Sequence, residues 1–244
     1  MSLAGLGSGL RTVVIGASGG IGGALAAALE ADPAVAAIHA CSRAGSGEAG
    51  GKRGVHAVDV TDEDSIAAAA ARIGAEGPLH LVVVATGMLH QDGQGPEKTY
   101  RQLDAAQMMR AFQVNTIGPA LVAKHFVPLL DRSDPAIFAA LSARVGSISD
   151  NRLGGWYSYR ASKSALNMLI RTLSIELART HKQAVCVGLH PGTVDTGLSR
   201  PFQRAAKQLL TPEESAAYLV DVLGALTPAA SGSVLAWDGK MVPV

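Results

Sequence analysis

Short runs rich in Val, Ile, Leu and Ala recur near residues 11–15, 35–41, 54–58, 79–85, 136–142, 184–190 and 232–237. Stretches with the apolar spacing of helices lie between most of them, over 20–31, 63–73, 103–130, 157–180 and 212–224. This alternation decides the fold class. A strand joined to the next through a crossover helix lies parallel to it, and repeating the unit builds a parallel sheet. The run LVVVA at 81–85 has no polar alternation, so both of its faces must be covered. The expectation is an α/β chain, residues 1–244 forming one domain with a doubly wound, seven-stranded parallel sheet and helices on both faces. Gly118 and Pro119 should break the third helix. In such sheets ligands bind beyond the carboxyl ends of the strands, so the residues just after each strand carry the functional signal.

The charge balance narrows the partner. With 21 Lys and Arg against 20 Asp and Glu, and no block of either sign, the positive field that nucleic acid or an anionic membrane requires is missing. A small-molecule partner is expected. No apolar stretch approaches the roughly 18 residues that cross a bilayer, and MSLAGLGSGL has neither a charged n-region nor a sustained apolar core. Cys41 and Cys186 lie far apart inside apolar runs, as packing residues in a reducing compartment would. A cytoplasmic location is the expectation. His90 and His190 have no partners at ligand spacing, so no metal site is expected.

Directly after the first run comes GASGGIG, with Gly16, Gly20 and Gly22 spaced G-x-x-x-G-x-G at the head of the helix IGGALAAALEA. A turn without Cβ atoms lets a pyrophosphate approach, and the N–H groups and dipole of the following helix neutralise its charge. The second run ends in Cys41-Ser42-Arg43, with no acid to accept from both ribose hydroxyls. A guanidinium there would pair with a 2′-phosphate, and Ser18 could donate to the same group, which favours NADP(H) and leaves NAD(H) as the alternative. Asp59, followed by Val60, stands after the third run, where its carboxylate could accept from an adenine amino group or cap the next helix. Thr61 and Asp62 are better placed for the cap.

In WYSYRASKSALNMLI, Tyr159 and Lys163 are four apart, so on a helix they share a face, while Tyr157 points elsewhere. A phenol loses its proton near pH 10, and an adjacent ammonium should lower that value. The pair could then exchange a proton with a carbonyl oxygen as hydride reaches the carbon.

These elements in this order resemble the short-chain dehydrogenase/reductase family over nearly the whole chain. They are the glycine turn, the Asp after the third strand, an Asn in the middle helix, a Ser after the fifth strand, Y-x-x-x-K and a P-G turn after the sixth. Within the family, GSISDNRLGGWYSYRASK and AWDG resemble the C-factor-like branch of carbonyl reductases. The resemblance implies a Rossmann-type fold, a nicotinamide cofactor and an Asn–Ser–Tyr–Lys catalytic group. Asn115 matches the family Asn that holds a helix kink and a water feeding protons to the Lys. Gly16, Ser18, Gly20 and Ile21 match the phosphate turn; Pro191, Gly192, Thr193 and Val194 match the turn that grips the nicotinamide carboxamide, with Thr196 near the pyrophosphate. A homodimer or homotetramer built on the helices 103–130 and 157–180 is also implied.

Two departures stand out. Where the family has N-N-A-G, this chain has VATG, so Ala85, Thr86 and Gly87 keep the backbone contacts while the Asn brace is lost. The serine is the second. Ser142 closes the fifth strand but lies 17 residues before Tyr159, whereas Ser147 lies 12 before it. Ser142 is preferred, because a strand end fixes a side chain better than a loop, and the extra residues could bulge outward between Gly146 and Gly155. Residues 86–102 and 193–210 should form the substrate rims, with Met88, Leu89, Trp156, Leu198 and Phe202 as an apolar wall. The expected activity is interconversion of a carbonyl and an alcohol. The alternative is a dinucleotide-binding sensor or signalling protein of the same fold.

Overall fold

A computed structural model describes residues 2–45, 47–90, 94–205 and 208–243. Seven strands form one sheet in the order β3-β2-β1-β4-β5-β6-β7, and every neighbouring pair is parallel. They are β1 (Leu10–Ile15), β2 (Val35–Ser42), β3 (Arg53–Ala57), β4 (Leu81–Val84), β5 (Ala136–Leu141), β6 (Ala184–His190) and β7 (Val234–Ala236). The strand order reverses between β1 and β4, which opens a crevice at their carboxyl ends.

The two-residue period of the strands divides the core. Val13, Ile15, Val82, Val84, Phe138 and Ala140 face one layer, packed on α2 (Glu63–Gly74), α4 (Gly118–Phe126) and α5 (Tyr157–Thr180). Val14, Leu81, Val83, Ile137 and Ala139 face the other, packed on α1 (Gly20–Ala31) and α6 (Pro212–Gly224). Both cysteines are buried and unpaired in the first layer, where burial pushes each thiol up to about 12. Among the described residues no helix is long and apolar enough to cross a membrane.

Several expected boundaries move, the last strand shrinking from 232–237 to Val234–Ala236. β4 is shorter than 79–85, because Leu79 leaves the ladder to bridge Leu130. The stretch 103–130 becomes α3 (Ala105–Phe112), a π turn over Gln113–Ile117, α4, and a 3-10 turn over Val127–Leu129. The break therefore begins before Gly118 and Pro119 rather than at them. Pro119 has no N–H for the carbonyl four residues earlier, so its effect falls on Asn115.

Candidate active site

Two adjoining cavities line the crevice. One, of about 480 Å³, is walled by Gly16, Ser18, Arg43, Asp59, Val60, Ala85, Thr86 and Gly87. The other, of about 420 Å³, shares Ser18 and the Ala85–Gly87 segment and adds Gly20, Ile21, Ser142, Tyr159, Lys163, Pro191 and Thr196. Gly16 has φ 95° and its N–H donates to the Cys41 carbonyl at 2.8 Å; a Cβ there would lie 3.0 Å from Thr86 Cγ2 and 3.1 Å from the Ala85 carbonyl carbon. Only glycine fits so close a turn.

Arg43 is exposed at the rim and makes no hydrogen bond or salt bridge among the described residues. Asp59 does not cap α2; Asp62 does, accepting from Asp64 N–H at 3.1 Å. Instead Asp59 Oδ1 accepts from the Thr61 N–H and hydroxyl at 2.9 and 2.7 Å, bonds that hold its carboxyl below the usual range. Ser42 Oγ and Thr86 Oγ1, both on the cavity wall, are buried with no hydrogen-bond partner among the described residues. Orphaned hydroxyls beside a glycine turn and an unpaired guanidinium fit a dinucleotide, whose ribose and phosphate oxygens would satisfy them.

α5 carries the Tyr159–Lys163 pair. Lys163 is 3% exposed, its Nζ donates to the Leu141 carbonyl at 2.8 Å, and it lies 5.9 Å from the centre of the Tyr159 ring. The two are one turn apart, as the spacing implies, but the expected lowering of the phenol is not found. Burial pushes the Tyr159 phenol up to about 12 and the Lys163 ammonium down to about 8. Desolvation disfavours the charged form of both groups, and it outweighs their mutual attraction.

Ser142 comes directly after β5, not within it as expected, and lines the same cavity, with its Oγ donating to Asn167 Oδ1 at 2.6 Å. Ser147 is buried elsewhere and its Oγ accepts from the Asp150 N–H at 3.1 Å. The outward bulge runs from Ile148 to Gly154, between Gly146 and Gly155. Gly146 is pressed inward on α5, where a Cβ would lie 2.8 Å from Lys163 Cβ.

Asn115 lies behind the cleft wall. Its Oδ1 accepts from Met88 N–H at 2.8 Å, and its Nδ2 donates to the Met88 carbonyl at 2.9 Å and to Ser162 Oγ at 3.0 Å. It thereby braces the segment after β4 that lost the family's own Asn. Gly192, at φ 84°, packs on Trp237, and Val194 is buried and bridges to Leu210, so neither side lines the two cavities.

On the substrate side, Trp156 stands edge-on to both Tyr159 and Phe202, with ring centres 6.2 and 5.3 Å apart, and His90 adds a further ring 5.8 Å from Phe202. Met88 and Leu89 line a small cavity with Tyr159, and Leu198 lines the larger one. Residues 91–93 and 206–207 of the two expected rims lie outside the described residues. The sequence does not mark Asn167, because helical spacing hides which polar residue of α5 faces a strand end, and nothing in the sequence around His90 shows that its ring stacks near Phe202.

Residues 11–207 match the short chain dehydrogenase family. The chain belongs to the short-chain dehydrogenase family. As a member it is an oxidoreductase of the alcohol/carbonyl class. This short-chain dehydrogenase is 35% identical over 186 residues to the 1-hydroxy-2-glutathionyl-2-methyl-3-butene dehydrogenase of Rhodococcus sp. (strain AD45), a match covering 76% of this chain and 77% of that one. It is also 35% identical over 141 residues to the C-signal protein of Myxococcus xanthus, covering 58% and 81% of the two chains. Among solved structures, an NADPH-bound carbonyl reductase from chicken fatty liver superposes with TM-score 0.84 at 29% identity, over 97% of this chain and all of that one.

Proposed function

We propose that this short-chain dehydrogenase reduces a hydrophobic aldehyde or ketone with NADPH, Tyr159 serving as the acid. One observation carries the reading: Tyr159, Lys163 and Ser142 converge in the cavity that also holds the glycine turn, Pro191 and Thr196. A bound nicotinamide would supply the hydride. The proton and the charge fall to the chain's own residues. With its phenol pushed up to about 12, Tyr159 is protonated at neutral pH and gives its hydroxyl proton to the substrate oxygen as the carbonyl carbon is reduced. Lys163, charged below about 8, stabilises the phenolate left behind. A carbonyl oxygen arriving beside Ser142 competes with Asn167 for the serine proton. Asn115, whose carbonyl Pro119 deprives of an α-helical partner, is assigned to hold the water that feeds protons to Lys163.

Arg43 and Ser18 would take the 2′-phosphate, and the chicken carbonyl reductase, solved with NADPH, supports that preference over NAD(H). Backbone groups of Pro191, Gly192 and Val194 would grip the carboxamide. The rings of Trp156, Phe202 and His90 suit a planar apolar substrate. The exposed Met168, Leu169 and Ile175 on α5 suit a homodimer packed through that helix. The test is oxidation of NADPH by the purified protein with a panel of aromatic ketones, aldehydes and diketones, beside a Tyr159→Phe variant. Turnover that survives in the variant overturns the mechanism; tight NADPH binding with no turnover on any of the panel favours a sensor, as the likeness to C-signal would allow.

A further inference from the structure

The reactive helix begins without a cap of its own. Trp156, the residue before α5, is left-handed (φ 54°, ψ 44°) and makes no side-chain hydrogen bond to the first turn; an indole has no acceptor to offer. Gly154 and Gly155 before it are left-handed as well, at φ 65° and 64°. A bulky residue holds such a conformation only when its surroundings fix it.

The fixing group comes from a loop about sixty residues earlier. Glu97 is 2% exposed, and its carboxylate accepts from the Ser158 N–H at 3.2 Å and from the Ser158 hydroxyl. Its backbone carbonyl accepts from the Trp156 N–H at 2.5 Å. One residue therefore clamps the chain on both sides of Tyr157 and immediately before Tyr159. Glu97 has no salt bridge among the described residues. Ser158 supplies the donors that satisfy its buried oxygens, at the positive end of the α5 dipole. Its loop is fastened in turn: Gln107 Nε2 donates to the Gly95 carbonyl at 3.0 Å, and Gln102 Oε1 accepts from Lys98 N–H at 2.8 Å. Glu97 and Tyr159 also line one small cavity.

We propose that Glu97 caps the catalytic helix from outside and is a positioning residue for Tyr159, setting where the phenol meets the substrate. The proposal rests on the reading of Tyr159 as the acid. Small displacements of a reacting group lower turnover steeply, whereas the dinucleotide end of the crevice, at Gly16, Arg43 and Asp59, is formed by other elements.

The experiment compares wild type, Glu97→Ala, Glu97→Gln and Ser158→Ala for kcat, KM, NADPH affinity and amide exchange in the first turn of α5. Glu97→Ala should lower kcat by about tenfold or more with NADPH affinity within about twofold of wild type. Glu97→Gln, which keeps an acceptor oxygen in place, should restore most of kcat, and Ser158→Ala should show a smaller loss of the same pattern. A kcat for Glu97→Ala within about twofold of wild type, an equal fall in NADPH affinity, or a glutamine variant as poor as the alanine one overturns the proposal. Should Glu97→Ala fail to fold, an unchanged kcat in Ser158→Ala overturns it instead. Exchange at the Ser158 and Tyr159 amides reads the cap without turnover: faster exchange in Glu97→Ala, with the glutamine variant close to wild type, supports it, and unchanged exchange in Glu97→Ala overturns it. A wild-type protein that reduces no carbonyl at all would sink the proposed function while leaving that exchange result to stand separately.

Discussion

Replacing Lys163 by Met should alter how the stability of the cofactor-free protein responds to pH. Lys163 is 3% exposed, and burial lowers its ammonium from 10.5 to about 8. A drop of that size is worth about 3 kcal/mol of preference for the neutral form, and at pH 7, where the side chain is charged in both folded and unfolded chains, the protein carries that strain. Met keeps most of the apolar stem and sheds the charge. It also strands the Leu141 carbonyl, which accepts from Nζ at 2.8 Å, at about 1–3 kcal/mol. The two effects nearly cancel at pH 7. They separate with pH, because the stranded carbonyl does not titrate. Between about 8 and 10.5 the unfolded chain holds the Lys163 proton and the folded chain has released it, so wild-type stability rises with pH across that window. Wild type should gain about 2 kcal/mol on K163M between pH 7 and pH 10, read by urea unfolding of both proteins. Groups common to the two titrate alike and drop out of the difference. Stability curves that stay parallel over this range would refute the reasoning that burial disfavours this charge.

Three further outcomes follow from the same crevice. Arg43→Leu should weaken NADPH by roughly tenfold or more and leave NADH nearly unchanged, measured by calorimetry; equal losses would mean the guanidinium does not read a 2′-phosphate. Gly146→Ala would set a Cβ 2.8 Å from Lys163 Cβ and 2.9 Å from the Lys163 carbonyl carbon, so thermal unfolding should show about 1–3 kcal/mol of destabilisation together with lower turnover, and wild-type behaviour in both would contradict the close packing. For carbonyl reduction, kcat/KM for NADPH reports the cofactor-free protein. It should be level below pH 8 and decline above it as Lys163 loses its charge, while Tyr159 stays protonated; a rise above pH 8 would contradict the acid role.

The layered sheet was legible because its signal is local and repeated: LVVVA at 81–85 and its counterparts state their double burial in their own composition. The glycine turn and the Tyr159–Lys163 pair were legible for the same reason, being short spacings read within one element. What failed to show depends on distance in the chain. Pro119 marked a break, but a missing N–H acts on a carbonyl one turn earlier, so the widened turn sits at Gln113–Ile117. The direction of the Tyr159 shift does not show in the sequence: an ammonium four residues away is visible there, whereas the desolvation that outweighs it exists only once β5 and the Ala143–Gly146 turn close over α5. Glu97 in GPEKTY reads as loop, and nothing nearby marks it as the cap of a helix that starts at Tyr157.

In the proposed reaction Tyr159 hands its proton to the substrate oxygen beside a bound nicotinamide. Single-turnover transfer from deuterated NADPH, followed into the product alcohol for wild type and Tyr159→Phe with NADPH affinity measured alongside, tests it most directly. Wild type should deliver deuterium to the carbonyl carbon, and the variant should bind NADPH normally yet transfer roughly a hundredfold more slowly or worse. Transfer by the phenylalanine variant at the wild-type rate would contradict the account.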